Sequence, residues 1–307
     1  MLSPLHRGVT TYIMQGFNLP QFCKIVEQSK ITVAYIVPPV ALALAKAPIV
    51  SKFDLSSLRL MHSSAAPTPK EIIVAVNDRL HVSIRQGYGL SEAAPGVSSQ
   101  RSAEWDAPIG TSGRLVPSMS AKFVLEDGKE AAPGSEGEIC LKGPNIFKGY
   151  YNNPKATAES FDSEGWYHTG DVGRADEQGN IYITDRLKDL IKYNGFQVAP
   201  AQLEDLLLGH AAVADVAVIG VYSEERATEL PRAYVVAAAG YKGDDKLEVT
   251  LRAWLNERVS PHKKLRGGVR FVDVIPRSNA GKILRRVLVE QARLEEKKRD
   301  SPVKARL

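Results

Sequence analysis

The chain has 307 residues, 44% of them hydrophobic and 24% charged, and carries a formal net charge of +5. That length predicts roughly two domains, each with its own core, and the composition is that of an ordinary globular protein. No apolar run approaches the ~20 residues a membrane helix needs, and the first residues carry His6 and Arg7 rather than the apolar stretch of a secretory signal. The basic excess suits phosphate-bearing ligands. Much of it lies in Lys297-Lys298-Arg299 and in Lys304 to Arg306, with no interleaved aromatic residues, which argues against nucleic-acid binding. Cys23 and Cys140 form no metal or redox pattern and suit a reducing compartment.

The elements alternate at first. Gly8 to Met14 reads as a strand and Leu19 to Gln28 as a helix with Phe22, Ile25 and Val26 at helical spacing. Ile31 to Val37 is β-branched and apolar, as in a buried strand, and Pro38-Pro39 predicts a loop after it. Leu58 to His62 is a short strand. Lys70 to Leu80 is a helix opened by Pro69, with Ile73, Val74 and Val76 facing a core. Val82 to Arg85 is the next strand, and a Gly87–Glu92 loop leaves its end. This β-α-β order predicts a mostly parallel sheet covered by helices, whose ligands bind beyond the carboxyl ends of the strands.

From about Trp105 the texture changes. Ala121 to Glu126, Gly137 to Lys142 and Gly179 to Thr184, with a turn at Asp127-Gly128, predict a small antiparallel β region. Asp185 to Lys188 reads as a junction. A helix at Ala201 to Leu208, strands at Asp215 to Val221 and Ala233 to Ala238, a helix at Lys246 to Val259, a strand at Gly268 to Val274 and a charged helix from Ile283 form a separate α+β unit. The expected fold class is therefore α/β. Residues 1–186 form the sheet-bearing part, with its β-rich section over about 105–186. Residues 187–294 form the smaller α+β domain, and 295–307 a flexible basic tail.

Four Gly-punctuated polar segments carry the chemistry. In the first, Gln86 to Glu92, Gly87 and Gly89 admit close backbone approach, Tyr88 can cover a flat ring, and Glu92 with Ser91 beside it can hold Mg²⁺. The same stretch starts like a dinucleotide fingerprint, but position 92 is Glu where a third Gly belongs. It also nearly matches a hydrolase nucleophile elbow, but the final Gly is Ala93. The second segment, Gly165 to Asp171, ends in a carboxylate with acceptors for a pair of ribose hydroxyls; a capping role is the plain alternative. The third, Tyr182 to Gly195, contains Arg186, whose planar fork can reach the same ribose or a phosphate, or pair with Asp185 or Asp189. The fourth, Ser278 to Lys282, delivers one point charge from a loop. Small residues Ser64, Ala65 and Ala66 after a strand leave a slot for an acyl group, or simply a tight turn.

These segments, in this order, resemble the adenylate-forming (AMP-binding) superfamily, and most of all the fungal 4-coumarate–CoA-ligase-like acyl-CoA synthetases, from about Gly8 to Arg286. The resemblance implies a ligase that joins ATP and an aryl or fatty carboxylic acid into an acyl-adenylate and passes the acyl group to CoA. It assigns AMP and ATP to Gly87, Tyr88, Gly89, Ser91, Asp171 and Arg186, and Mg²⁺ to Glu92. It assigns the acid to Ser64, Ala65, Ala66, Pro95 and Gly96, and adenylation to Lys282. It assigns the second step to Lys192 and Gln197, with Gly195, Phe196 and Lys264 beside CoA, and a hinge near Leu187-Lys188. Thr is more usual in the family than Ser91, and Gly than Ser64. Members also begin with a Ser/Thr/Gly-rich phosphate loop ending in Lys, which nothing here matches. The expectation is a chain corresponding to the C-terminal half to two-thirds, impaired in adenylation. The alternatives are a non-catalytic nucleotide- or partner-binding remnant, and an adenylating domain serving a carrier protein. Ala305-Arg306-Leu307 resembles a variant of the Ser-Lys-Leu peroxisomal address and predicts an import receptor as partner and a peroxisomal location, with the cytoplasm as the alternative.

Overall fold

The computed structural model describes residues 6, 8–101, 108–278 and 281–300. The Trp105 boundary, Asn279-Ala280 and the Ala305-Arg306-Leu307 tripeptide lie outside the described residues. Among those described, no helix is long and apolar enough to cross a membrane.

Helix α1 (Leu19–Ser29) is capped by the Asn18 side chain, which accepts from Gln21 N–H at 3.0 Å. Strand β1 (Val33–Ile36) pairs in parallel with β2 (Leu60–Ser63), and β2 with β3 (Ser83–Gly89), with helix α3 (Lys70–Leu80) between them. Strands β4 (Gly96–Ser99) and β5 (Arg114–Leu115) extend this sheet antiparallel, in the order β1-β2-β3-β4-β5. A second, four-stranded antiparallel sheet contains β6 (Ser120–Val124), β7 (Gly137–Lys142), β8 (Tyr167–Ala175) and β9 (Ile181–Arg186), with short helix α4 (Pro154–Glu159) between β7 and β8. A hairpin, β10 (Ile191–Tyr193) and β11 (Phe196–Val198), leads into α5 (Pro200–Leu208). The last sheet, β12 (Val213–Ser223), β13 (Thr228–Ala237) and β14 (Val269–Phe271), is flanked by α6 (Asp245–Asn256) and α7 (Arg285–Asp300).

Several expectations change. Gly8 to Met14 is irregular rather than a strand. Pro38 and Pro39 open a helix, α2 (Pro38–Lys46), instead of a loop. Proline tolerates the first helical turn because the N–H it lacks has no intrahelical partner there. Strand β1 is half-buried rather than buried: Ala34 and Ile36 face the core, while Val33 and Tyr35 point outward and Tyr35 stacks on His62 at 5.7 Å. On α3 the core face is Ile72, Ile73 and Val76, and Val74 is exposed. The stretch expected as a loop after Arg85 continues as strand to Gly89. The Gly165–Asp171 segment likewise runs into β8, a strand the β-propensity of its residues does not announce. Helix α7 continues to Asp300, through the start of the expected flexible tail.

The cores are separate. Leu44, Met61, Val76 and Cys23 pack between the first sheet and its helices, while Leu203, Leu207, Leu251 and Leu255 pack on β12 and β13. A third cluster, with Val97, Ile139, Leu141 and Ile181, joins the first two sheets. Leu44 is fully buried, so Leu44→Ala leaves a cavity and is expected to cost about 2–5 kcal/mol of stability. Urea unfolding followed by circular dichroism checks this; a loss below about 1 kcal/mol would mean that the helix is not packed as described.

Candidate functional site

The parallel sheet, the antiparallel sheet and the C-terminal unit meet at one cleft. Its walls include Ala65, Ala66, Gly87, Tyr88 and Gly89 from the first, Asp171 and Arg186 from the second, and Lys282 from the loop before α7. Residues more than two hundred positions apart thus face one space.

Asp171 is its fixed point. It is buried, and its carboxylate accepts from the Tyr88 hydroxyl at 2.6 Å and pairs with Arg186 Nε at 3.0 Å. Asp171 and Arg186 are direct cross-strand neighbours on β8 and β9, a placement that favours opposite charges. Burial first, and then the Asp171 charge, push the Tyr88 hydroxyl well above its usual value, so it stays a neutral donor. Lys282 is half-buried; burial and then the Arg186 charge lower its pKa, opposed by Asp189. Its loop is held by Arg277, which donates to Gly281 O at 2.9 Å and to Asp215 Oδ1 at 2.8 Å.

The glycines have a reason other than ligand approach. A Cβ at Gly89 would lie 2.1 Å from Pro95 O, and one at Gly87 would lie 3.2 Å from Ser98 O. Both are small because β4 folds back on β3. The alanine slot is strained: Ala65 has φ +78, a left-handed conformation that L side chains rarely adopt.

Other expected residues lie elsewhere. Ser64, Ser91, Pro95 and Gly96 are not among the residues lining the cleft. Neither is Glu92, whose carboxylate accepts from Tyr150 Oη at 3.0 Å. Lys192, Gly195, Phe196 and Gln197 sit exposed on the β10–β11 hairpin and do not line the cleft that holds Lys282. There Gln197 donates to Glu126 of the β6–β7 turn, and Phe196 stacks on His262 at 4.6 Å. Lys264 is half-buried nearby, where Lys263 donates to Gln202 and Arg266 covers the Tyr193 ring.

The sequence reading did not single out the acidic wall. Asp185 is buried and accepts from Ala201 N at 3.0 Å, so it caps α5 across the junction. Glu204 forms a two-pronged pair with Arg285 at 2.7 and 2.8 Å, and burial still pushes its pKa up to about 6. Asp205 is pushed up to about 8 by burial and by Glu71, Glu204 and Asp185. The available signal was two adjacent carboxylates in an otherwise apolar helix.

Profile and structure comparisons agree on the family. A profile described as AMP-binding enzyme matches residues 1–151, and one described as AMP-binding enzyme C-terminal domain matches residues 202–282. The chain is 42% identical over 293 residues to 4-coumarate:CoA ligase 1 of Petunia hybrida and 43% identical over 293 residues to 4-coumarate–CoA ligase of Pinus taeda. Each alignment covers 94% of this chain and 53% of the relative, so the chain spans about half the length of the curated relatives it matches. The fold matches the anthranilate CoA ligase AuaEII in complex with anthranoyl-AMP at TM-score 0.86 and 26% identity, over 94% of this chain and 55% of that one. It matches ATP-bound MatB of Rhodopseudomonas palustris at TM-score 0.83 and 29% identity, over 94% and 56%. The chain belongs to the AMP-binding enzymes, with the mixed α/β fold of its adenylate-forming neighbours.

The raised pKa of Asp205 has a direct consequence. In the unfolded chain this carboxyl ionises near the ordinary Asp value of 3.8, and burial with its acidic neighbours pushes it up to about 8 in the fold. Between those values the native state binds the extra proton, so the contribution is fully present below about pH 3.8 and is lost as pH rises through 8. Asp205→Asn is expected to raise the melting temperature by an amount that grows from pH 5 to pH 8 and levels off above. A gain independent of pH would show that Asp205 is not held protonated.

Proposed function

We propose that this chain carries the AMP-holding and adenylating parts of an ATP-dependent carboxylate–CoA ligase of the 4-coumarate type. The observation that carries the proposal is the convergence of Tyr88, Asp171, Arg186 and Lys282 on one cleft. Supporting it are the relatives named 4-coumarate–CoA ligase and the neighbour bound to anthranoyl-AMP.

In this reading Asp171 accepts the ribose hydroxyls, with Arg186 and Tyr88 fixing its carboxylate. The Tyr88 ring borders the adenine, and Ala65 and Ala66 border the acyl group. Lys282 places its positive charge where the acid's carboxylate oxygen meets the α-phosphate, offsetting charge as pyrophosphate leaves. Glu92, which the family resemblance assigns to Mg²⁺, lies outside the cleft lining and accepts from Tyr150 Oη, so no step is routed through that ion. The thiol of CoA then attacks the acyl carbon and AMP departs with the oxygen, leaving the thioester.

The second step calls for Lys192, Gln197, Gly195 and Phe196, which are exposed and outside the cleft lining while Lys282 is within it. We place a hinge at Leu187-Lys188, between parts 1–186 and 187–294, that exchanges the two faces. The acid is aryl or fatty. These 307 residues by themselves are proposed to adenylate slowly, since they carry no Ser/Thr/Gly-rich loop ending in Lys.

Lys282→Ala is expected to lower acyl-adenylate formation by roughly 10²–10³-fold while leaving thioester formation from preformed acyl-adenylate within a few-fold. Pyrophosphate exchange with a panel of aryl and fatty acids reads the first half-reaction, and mass spectrometry of CoA-dependent release reads the second. Equal losses in both would remove the hinge. AMP binding with no exchange for any acid would favour a binding module, and exchange without CoA-dependent release an adenylating domain serving a carrier protein.

A further inference from the structure

Behind Asp171, on the side away from the cleft, β8 departs from regular pairing with β7. Cys140 pairs with His168 and Glu138 with Val172, with a register shift between them. Ile139 alone therefore faces Thr169, Gly170 and Asp171, and the longer segment must bulge. Gly170 adopts φ +69, the left-handed region that glycine enters without strain. The bulge is what turns the Asp171 side chain toward Tyr88 and Arg186.

A bulge frees backbone groups that the ladder no longer pairs, and here both groups of Gly170 and the N–H of Asp171 find partners. The Gly170 N–H donates to Glu138 Oε1 at 2.9 Å, and its C=O accepts from Leu187 N–H at 2.9 Å. The Asp171 N–H donates to Thr169 Oγ1 at 3.0 Å, and that hydroxyl donates to Ile139 O at 2.7 Å. Glu138 Oε2 lies 2.7 Å from His168 Nδ1. One side chain thus ties both sides of the bulge, the His168 ring before it and the Gly170 amide at its apex. The same Gly170 peptide is bonded to Leu187, where the hinge is placed.

We propose that Glu138 is a positioning residue for nucleotide binding: it braces the Thr169-Gly170-Asp171 bulge from behind and so holds the Asp171 carboxylate at the ribose. The inference rests on the reading of Asp171 as the ribose acceptor. A competing use of the same neighbourhood, metal ligation by Glu138, Cys140 and His168, whose ligand atoms lie within 4.8 Å of one another, fits less well. Both Glu138 oxygens are already engaged, and burial, then the Glu138 charge, push the Cys140 thiol up to about 12, far from the thiolate a metal takes.

The test uses the full chain with AMP as the probe. Loss of one hydrogen bond to a charged group corresponds to roughly tenfold in affinity. Glu138→Ala is expected to weaken AMP binding by about that factor while leaving 2′,3′-dideoxy-AMP unchanged, because only the ribose hydroxyls use Asp171. In a double-mutant cycle, Glu138→Ala added to Asp171→Asn is expected to weaken AMP no further. Hydrogen exchange at the Gly170 amide of the ligand-free chain reads the brace without any nucleotide, and is expected to accelerate in Glu138→Ala. Should that variant fail to fold, Glu138→Gln, which keeps an acceptor for Gly170 but presents an amide where His168 meets a carboxylate, is expected to keep Gly170 protected. Additive losses, equal losses for AMP and the dideoxy analogue, or unchanged exchange at Gly170 in Glu138→Ala would each overturn the brace. An unchanged AMP affinity in Asp171→Asn alone would instead overturn the ribose reading, with the exchange result still reporting on Glu138.

Discussion

The arrangement of the cleft depends on one buried carboxylate held from two directions. Asp171 receives a neutral hydroxyl from β3 and a guanidinium from β9. Isolated, a carboxylate so buried would be costly, and with partners it becomes a fixed acceptor. The parallel sheet delivers Tyr88, and the antiparallel sheet delivers Asp171 and Arg186. The two sheets are locked by the apolar cluster of Val97, Ile139, Leu141 and Ile181. The polar triad is therefore a consequence of sheet-on-sheet packing, and loosening that cluster would separate Tyr88 from Asp171 without touching either.

Much of this was legible in the sequence, and the residues show which parts. The helix at Lys70–Leu80 and the strand at Gly137–Lys142 have the ranges their sequence pattern predicts, although on the helix Ile72 takes the core position expected of Val74. Local pattern misled where tertiary context decided. Pro38-Pro39 looks like an interruption until the strand before it ends and a helix can start on it. Thr169-Gly170-Asp171 reads as loop because its strand is bulged there, and only the flanking pairs Cys140–His168 and Glu138–Val172, with Asp171 opposite Arg186, make it part of a sheet. Gly87 and Gly89 suggested room for a ligand, but the clash at those positions is with β4.

At the site, the residues carrying functional groups were readable from motif wording, and the residues that hold them were not. Tyr88, Asp171, Arg186 and Lys282 each sit in a Gly-punctuated segment. Glu138 and Arg277 sit in unremarked positions, and Asp185, read as the start of a junction and as a partner for Arg186, instead caps α5; these roles exist only in three dimensions. Arg277 ties the Lys282 loop to Asp215, and Asp185 ties the end of β9 to the first turn of α5.

These ties bear on how the C-terminal unit could move. Among the described residues its polar contacts with the rest of the chain include Asp185 to Ala201, Leu187 N–H to Gly170 O at 2.9 Å, Lys46 to Val213 O at 2.7 Å, and Gln197 to Glu126. The pair Glu204–Arg285 lies wholly within the unit and would travel with it. Rotation about Leu187-Lys188 would break the Gln197 contact, which is exposed, and the Lys46 contact, which is part-buried and made to the carbonyl of buried Val213. The large cores on either side would stay intact, because each is closed on its own sheet and helices. Asp205 beside Glu71 adds a like-charge contact across that boundary, so the arrangement with Lys282 in the cleft holds against a repulsion that grows as Asp205 ionises. The boundary is not polar alone: Val172 of β8 packs with Leu190 and Ala199 beside Leu187, so the proposed rotation would turn about a small apolar cluster at the hinge itself.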